Sequence, residues 1–143
     1  SRRRGFHTAA VEQGCAQTSH VPLVGDYSAK AGMIGAAEAV ERGATAVITS
    51  SDGLTLGVLR YLYDKRLRVP NDLSVVSFDD AVVADLYPPI TSVTQPFTTI
   101  GSTAVELMND IIEYGEPGSH EVVLPTALTI RKSTEGPRKA GIL

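Results

Sequence analysis

The sequence predicts an α/β domain built on a doubly wound parallel sheet. Three observations predict it. The compact runs Ala46-Val47-Ile48-Thr49 and Leu73-Ser74-Val75-Val76-Ser77-Phe78 lack the polar alternation of a half-exposed strand, and each fits a parallel strand covered on both faces. Longer segments with helical periodicity lie between such runs, so strand and helix alternate in the order that builds βαβ units. Glycine, proline and capping residues punctuate the joints.

Taken in order, Arg3 to Gln13 reads as a short helix stopped by Gly14, and Val21 to Val24 as a short strand. Ser28 offers an N-cap to a helix from Ala29 to Arg42, closed by Gly43 where left-handed φ is tolerated. After the strand at Ala46 to Thr49, Ser51 or Asp52 can cap a helix from Gly53 to Lys65. Val69-Pro70-Asn71-Asp72 breaks the chain before the strand from Leu73 to Phe78, and Ala81 to Leu86 is long enough for one helical turn. Tyr87-Pro88-Pro89-Ile90 cannot be regular structure. Thr91 to Thr94 is a short strand or extended crossover, and Thr98 or Thr99 caps a helix ending at Tyr114 before Gly115 and Pro117. Glu121 to Leu124 and Ala127 to Arg131 read as two last strands split by Pro125, and the tail from Gly136 is expected to be loose.

The 143 residues suffice for one domain with a core. With 43% hydrophobic and 20% charged residues the composition is that of a globular domain. No apolar run approaches the roughly 18 residues of a membrane span. No secretory signal opens the chain, which reads as starting in mid-domain. The net charge of −3 argues against a phosphate-neutralising face. Its basic spots are Arg2-Arg3-Arg4 at one end and Arg131-Lys132 with Arg138-Lys139 at the other, the latter expected to be solvated. The single Cys15 excludes an internal disulfide framework and fits a reducing cytoplasm.

Catalytic signatures are missing: no phosphate loop, dinucleotide fingerprint, zinc-protease motif or nucleophile elbow is present. His7, His20 and His120 stand singly, so no catalytic residue, metal site or cofactor is expected. The residues that follow the strands are more informative, because ligands of open α/β sheets bind beyond the carboxyl ends of strands. Asp79-Asp80 follow Phe78 and point to opposite sides; one can accept hydrogen bonds from ligand hydroxyls while the other braces a loop, or both can serve as caps. Ser51-Asp52 admits the same alternatives. Tyr27 and Phe97 can stack on a ligand ring or fill the core. Four strand ends thus deliver polar or aromatic residues to one rim, where small-molecule sites are expected.

The helix from Gly53 to Lys65 is apolar on two flanks: Leu54, Val58, Tyr61 and Leu62 on one, Leu56, Leu59 and Tyr63 on the other. One sheet covers one flank, and a partner subunit is the simplest cover for the second. Leu54, Val58, Tyr61 and Leu62 are taken as the dimer-interface candidates.

The segment Val69-Pro70-Asn71-Asp72-Leu73-Ser74-Val75-Val76-Ser77-Phe78-Asp79-Asp80 resembles a signature of the LacI/GalR regulators, V-P-x-D-(I/L)-S-V-V-G-(F/Y)-D-D. Ala46 to Asp52 with Leu56-Gly57, Pro88 to Pro96, Gly101 with Ala104, Leu124 to Thr134, and Arg2 to Phe6 resemble that family's flanking motifs, covering about residues 2 to 134. The resemblance implies a periplasmic-binding-protein-like fold of type I, with two subdomains around a cleft. Residues 1–94 would form the second subdomain, 95–118 the crossover into the first, 119–134 the terminal strands and 135–143 a loose tail. The resemblance also implies a DNA-binding headpiece and most of a first subdomain that lie outside these residues.

The resemblance further implies a ligand set: Arg2 for effector hydroxyls or a carboxylate, Tyr27 for stacking, Ser51 and Asp79 for polar contacts, Gln95 and Phe97 in the pocket lining. Two positions depart from the pattern: Ser51 replaces asparagine and loses an amide, and Ser77 replaces glycine before Phe78. The function implied is the effector-sensing and dimerisation domain of a cytoplasmic LacI-type regulator. It would bind a sugar-like or nucleoside-like molecule, pair as a homodimer, and reach operator DNA through the headpiece, with no membrane partner and no enzyme activity. The alternative is an extracytoplasmic sugar-binding protein of a transporter, which shares the fold.

Overall fold

In the computed structural model, residues 2–15, 26–115 and 121–136 are described. The expected strand Val21 to Val24 lies outside them, as do His20 and His120. The elements run α1 (Arg2–Glu12), α2 (Ala29–Glu41), β1 (Ala46–Thr49), α3 (Asp52–Asp64), β2 (Ser74–Phe78), a 3-10 turn (Val83–Asp85), β3 (Thr91–Thr94), α4 (Phe97–Tyr114) and β4 (Ala127–Thr129). Local chemistry sets the boundaries. Ser28 caps α2 through its hydroxyl, which accepts the Ala31 N–H, and Gly43 turns the chain at φ +74°. Gly115 ends α4 in the same left-handed conformation, at φ +80°.

The strands form one open sheet in the order β1-β2-β3-β4. The first three are parallel, with Thr49 opposite Ser77 and Ser77 opposite Ser92. Their carboxyl ends therefore lie along one edge. β4 runs antiparallel to β3, pairing Thr129 with Ser92, so the predominantly parallel sheet ends on an antiparallel strand. Residues 121–126 have no regular structure, which corrects the strand expected at Glu121 to Leu124. β1 was expected to be covered on both faces, yet Ile48 is 53% exposed. Among the described residues Val47 and Thr49 face the core while Ala46 and Ile48, on the other face, stay exposed, so only one face of β1 is covered.

α3 crosses from β1 to β2 and packs on α2 and the sheet. The two helices meet at glycines: a Cβ on Gly32 would lie 2.2 Å from the Leu54 carbonyl oxygen, and one on Gly57 2.0 Å from that of Ala29. Only hydrogen fits there. The core joins Ala36, Val58, Leu62, Leu73, Val75, Val83 and Ile90, drawn from α2, α3, β2, the 3-10 turn and the entry to β3. Leu54, Val58 and Leu62 are at most 4% exposed, and Tyr61 packs against the core cluster. The stripe expected to meet a partner subunit is thus covered within the chain itself. The periodicity marked two apolar flanks, and tertiary packing took this one. Leu56 and Tyr63 of the other flank remain exposed, at 37% and 83%.

α4 buries none of its residues. Its N-cap position is Pro96, with no side-chain capping bond, so the expected caps at Thr98 and Thr99 fall inside the helix instead. No helix of the described residues is long and apolar enough to cross a membrane.

Candidate functional site

The edge formed by the ends of β1, β2 and β3 carries the candidate site. At the end of β2 the chain leaves the sheet through Asp79, whose φ is +75°. Left-handed backbone is uncommon outside glycine, and aspartate is among the residues that tolerate it. The Asp79 N–H still donates to the Val93 carbonyl at 3.1 Å, anchoring the turn to β3. Its carboxylate accepts a hydrogen bond from the Gln95 side-chain amide. The structure therefore joins two predicted site residues from the ends of neighbouring strands.

Asp80 faces the other way and braces the fold. Its Oδ2 accepts from Thr94 Oγ1 at 2.9 Å and from the Arg131 guanidinium at 3.0 Å. Burial pushes this carboxyl up. Hydrogen bonds from Arg131 and Thr94, with the guanidinium charge, outweigh that effect and hold it below its ordinary value. Arg131 also donates to the Ile90 carbonyl at 2.7 Å and to Ser92 Oγ at 2.6 Å, and its side chain is only 19% exposed. This corrects the expectation of a solvated basic cluster for Arg131. Because Thr94 and Asp80 immediately neighbour Gln95 and Asp79, the Arg131 network also fixes the pair above it.

At the end of β1, Ser51 caps α3 and its Oγ accepts from the Leu54 N–H at 3.4 Å. That role consumes an acceptor of the hydroxyl and leaves its proton to donate. Asp52, next in sequence, is tied down: Oδ1 accepts from Ser77 Oγ at 3.3 Å and Oδ2 from the Val82 N–H at 2.9 Å. Of the two alternatives left open at this position, both side chains serve structure, and Ser51 alone still has a proton to donate. Ser77 sits in regular β2 and is wholly buried, so its departure from glycine leaves the strand backbone regular; the unusual φ belongs to Asp79.

Arg2 reaches the same edge from α1. Its Nη1 donates to the Ser50 carbonyl at 2.7 Å, and its guanidinium stacks 4.6 Å above the Phe78 ring. It thereby bridges the ends of β1 and β2. Tyr27 lies beside the first turn of α3, where a Cβ on Gly53 would stand 2.3 Å from the Tyr27 carbonyl oxygen. Asp26 accepts from the Ser28 N–H at 3.1 Å, and hydrogen bonds from Ser28 hold its carboxyl below the ordinary value. The Tyr27 side chain is open, the residue being 68% exposed. Phe97, 52% exposed, opens α4 after a tight turn in which its N–H donates to the Gln95 carbonyl at 2.9 Å. A groove of about 300 Å³ runs from Gln95 and Pro96 along α4, between Ile100 and Leu107 on one side and Val122 and Leu124 on the other.

The edge thus presents a guanidinium, a carboxylate paired with an amide, a hydroxyl donor and two open aromatic rings. No group of metal-ligating side chains occurs among the described residues. Sequence reasoning missed the roles of Ser77 and Arg131, and for Asp52 it left the bracing role as one of two alternatives. Its one available signal was hydroxyl residues at 49, 55 and 77, inside segments otherwise patterned for burial.

Comparison with known proteins identifies the scaffold. The profile described as a periplasmic binding protein-like domain matches residues 1–134. The chain is 31% identical over 138 residues to the HTH-type transcriptional regulator GalR of Streptococcus thermophilus, covering 94% of this chain and 41% of that protein. It is similar to a LacI family transcriptional regulator from Enterococcus faecium with bound ribose, with a TM-score of 0.87, 27% identity, and coverage of 96% of this chain and 52% of that one. A transcriptional regulator CelR–cellobiose complex has a TM-score of 0.79 and 31% identity, over 93% of this chain and 42% of that one. The chain spans roughly half the length of these relatives or less. It belongs to the periplasmic-binding-protein-like domain family, in the form carried by transcriptional regulators of the LacI/GalR type.

Proposed function

We propose that this chain forms one wall of an effector cleft in a cytoplasmic LacI-type regulator, and that the effector is a small sugar or a related polyhydroxylated molecule. The observation that carries the proposal is the Asp79–Gln95 pair, set on a left-handed turn at the parallel-strand edge that Arg2 also reaches. A carboxylate and an amide side by side offer acceptors and donors to adjacent hydroxyls, and charge-assisted bonds of this kind are the stronger class. Arg2 and Ser51 add donors, and Tyr27 and Phe97 add open rings for the apolar face of a sugar. Ribose and cellobiose in the two related structures support this ligand class.

In this proposal residues 1–94 are the second subdomain, 95–118 cross to the first, 119–134 return, and 135–143 form the tail. The uncovered apolar residues of α4, such as Val105 and Met108, then face the first subdomain. Self-association uses the exposed flank of α3 and the segment between β2 and β3, where Leu56, Val82 and Tyr87 are 37%, 47% and 98% exposed. Operator DNA is contacted by a separate headpiece, and effector binding biases the spacing of two headpieces. The relatives' regulatory character favours this over a transporter's binding protein.

Calorimetry on the full-length protein tests the proposal. D-ribose, D-glucose, D-galactose, maltose and cellobiose are titrated in turn, and operator affinity is measured with each. Binding of one sugar, with a change in operator affinity, is expected. No binding across the panel and no effect on operator affinity would refute it.

A further inference from the structure

Beneath the rim runs a chain of buried hydroxyls. Thr49 Oγ1 lies 2.6 Å from Thr55 Oγ1, which lies 2.7 Å from Ser77 Oγ. Thr55 and Ser77 are 0% exposed and Thr49 is 7% exposed. Ser77 Oγ in turn reaches Asp52 Oδ1, while Asp52 Oδ2 takes the Val82 N–H. One proton order runs through the whole series, with Thr49 donating to Thr55, Thr55 to Ser77, and Ser77 to the Asp52 carboxylate. The same three hydroxyls also lie within reach of the Val76, Ser51 and Phe78 carbonyls, at 3.3, 3.0 and 3.1 Å, and the carboxylate charge favours the order that ends on Asp52. Hydrogen bonds in such a series polarise one another towards the terminal anion.

The register gives this series a purpose. Thr49 and Ser77 are directly opposed on β1 and β2. Ser51 and Asp79 each stand two residues further along. The hydroxyls therefore clamp the two strands immediately below the pair of polar site residues, and the Asp52–Val82 bond clamps the chain immediately beyond. Apolar residues would fill these buried positions without the desolvation cost of a hydroxyl. Glycine, which the regulator pattern carries at position 77, could not reach Asp52 at all.

We propose that Ser77, with Thr49 and Thr55, is a positioning residue for the effector rim, setting the separation between Ser51 and Asp79 through Asp52. The proposal rests on the sensing role given above. Ser77→Ala removes the link to Asp52, Thr55→Val removes the central hydroxyl at nearly constant shape, and Thr55→Ser keeps it. Sugar affinity is measured by calorimetry on the full-length protein, with the tightest sugar of the panel above, where circular dichroism shows every variant fully folded. Exchange of the Val82 amide is followed in parallel, with Val75 as the core reference.

Ser77→Ala and Thr55→Val should each weaken sugar binding about five- to tenfold, with Thr55→Ser within about twofold of the unaltered protein. Ser77→Ala should also speed Val82 exchange by about tenfold and leave Val75 unchanged. Unchanged sugar affinity in both hydroxyl-deleted variants would overturn the proposal, even with Val82 exchange raised. Unchanged Val82 exchange in Ser77→Ala would overturn it too. Absence of sugar binding by the unaltered protein would instead sink the sensing role, and the positioning role with it.

Discussion

Replacing Arg131 with methionine removes a guanidinium that holds three groups on and beside β2 and β3 at once. The lost bonds run to the Ile90 carbonyl, to Ser92 Oγ and to Asp80 Oδ2, at 2.7, 2.6 and 3.0 Å. Asp80, whose side chain is 16% exposed, would keep only hydroxyl partners, Thr94 and Ser92, for a largely buried carboxylate. Breaking a fully buried pair costs about 3–5 kcal/mol, and an exposed one under about 1 kcal/mol. The residual exposure of both side chains places Arg131→Met at about 2–3 kcal/mol. Urea unfolding of the full-length protein at neutral pH, followed by circular dichroism, measures it. Adding Asp80→Asn should restore at least about half the loss, because the amide carries no stranded charge. A loss below about 0.5 kcal/mol, or a double variant no more stable than the single one, would refute the account of Asp80 as a brace.

Acid titration offers a second test, since the Asp80 carboxyl is held below its ordinary value of 3.8. Its stabilisation is present in full above that value and is lost as pH falls through the lowered folded value. The acid-labile part of stability should therefore shrink in Arg131→Met, and an unchanged profile would count against the pair. Gly57→Ala should cost about 2–3 kcal/mol in the same urea assay, because its Cβ would stand 2.0 Å from the Ala29 carbonyl and the α2–α3 crossing must open; a neutral effect would contradict that crossing. Asp79→Gly relieves a left-handed φ of +75° while deleting the carboxylate. It should leave stability unchanged or raise it by up to about 1 kcal/mol while sugar binding, read by calorimetry, falls at least about tenfold. Tyr87→Ser removes a 98% exposed ring and should weaken self-association in sedimentation without changing sugar affinity.

Much of the fold could be read from residue patterning. β1, β2 and β3 lie where short β-branched runs sit between chain breakers, and α2 begins at Ser28 and stops before Gly43 as its caps require. What could not be read was which partner covers each face. Periodicity marked two apolar flanks on α3, but packing against α2 and the sheet decided that Leu54, Val58 and Leu62 go inside. The order β1-β2-β3-β4 and the exposure of Ile48 are likewise set by how the elements assemble, which local pattern does not specify. For the site, the strand-end rule located Asp79 and Ser51, yet a carboxylate after a strand looks the same in sequence whether it meets a ligand or a loop. The left-handed turn at Asp79 and the Arg131 guanidinium separate the two roles, and both depend on residues remote in the chain.

The most direct test of the cleft is a crystal structure of the full-length protein with the sugar that calorimetry selects. The proposal predicts a sugar hydroxyl within about 3.2 Å of an Asp79 carboxylate oxygen, with Gln95 and Arg2 in the same shell. A sugar bound elsewhere, with Asp79 still engaged only by Gln95, would contradict it.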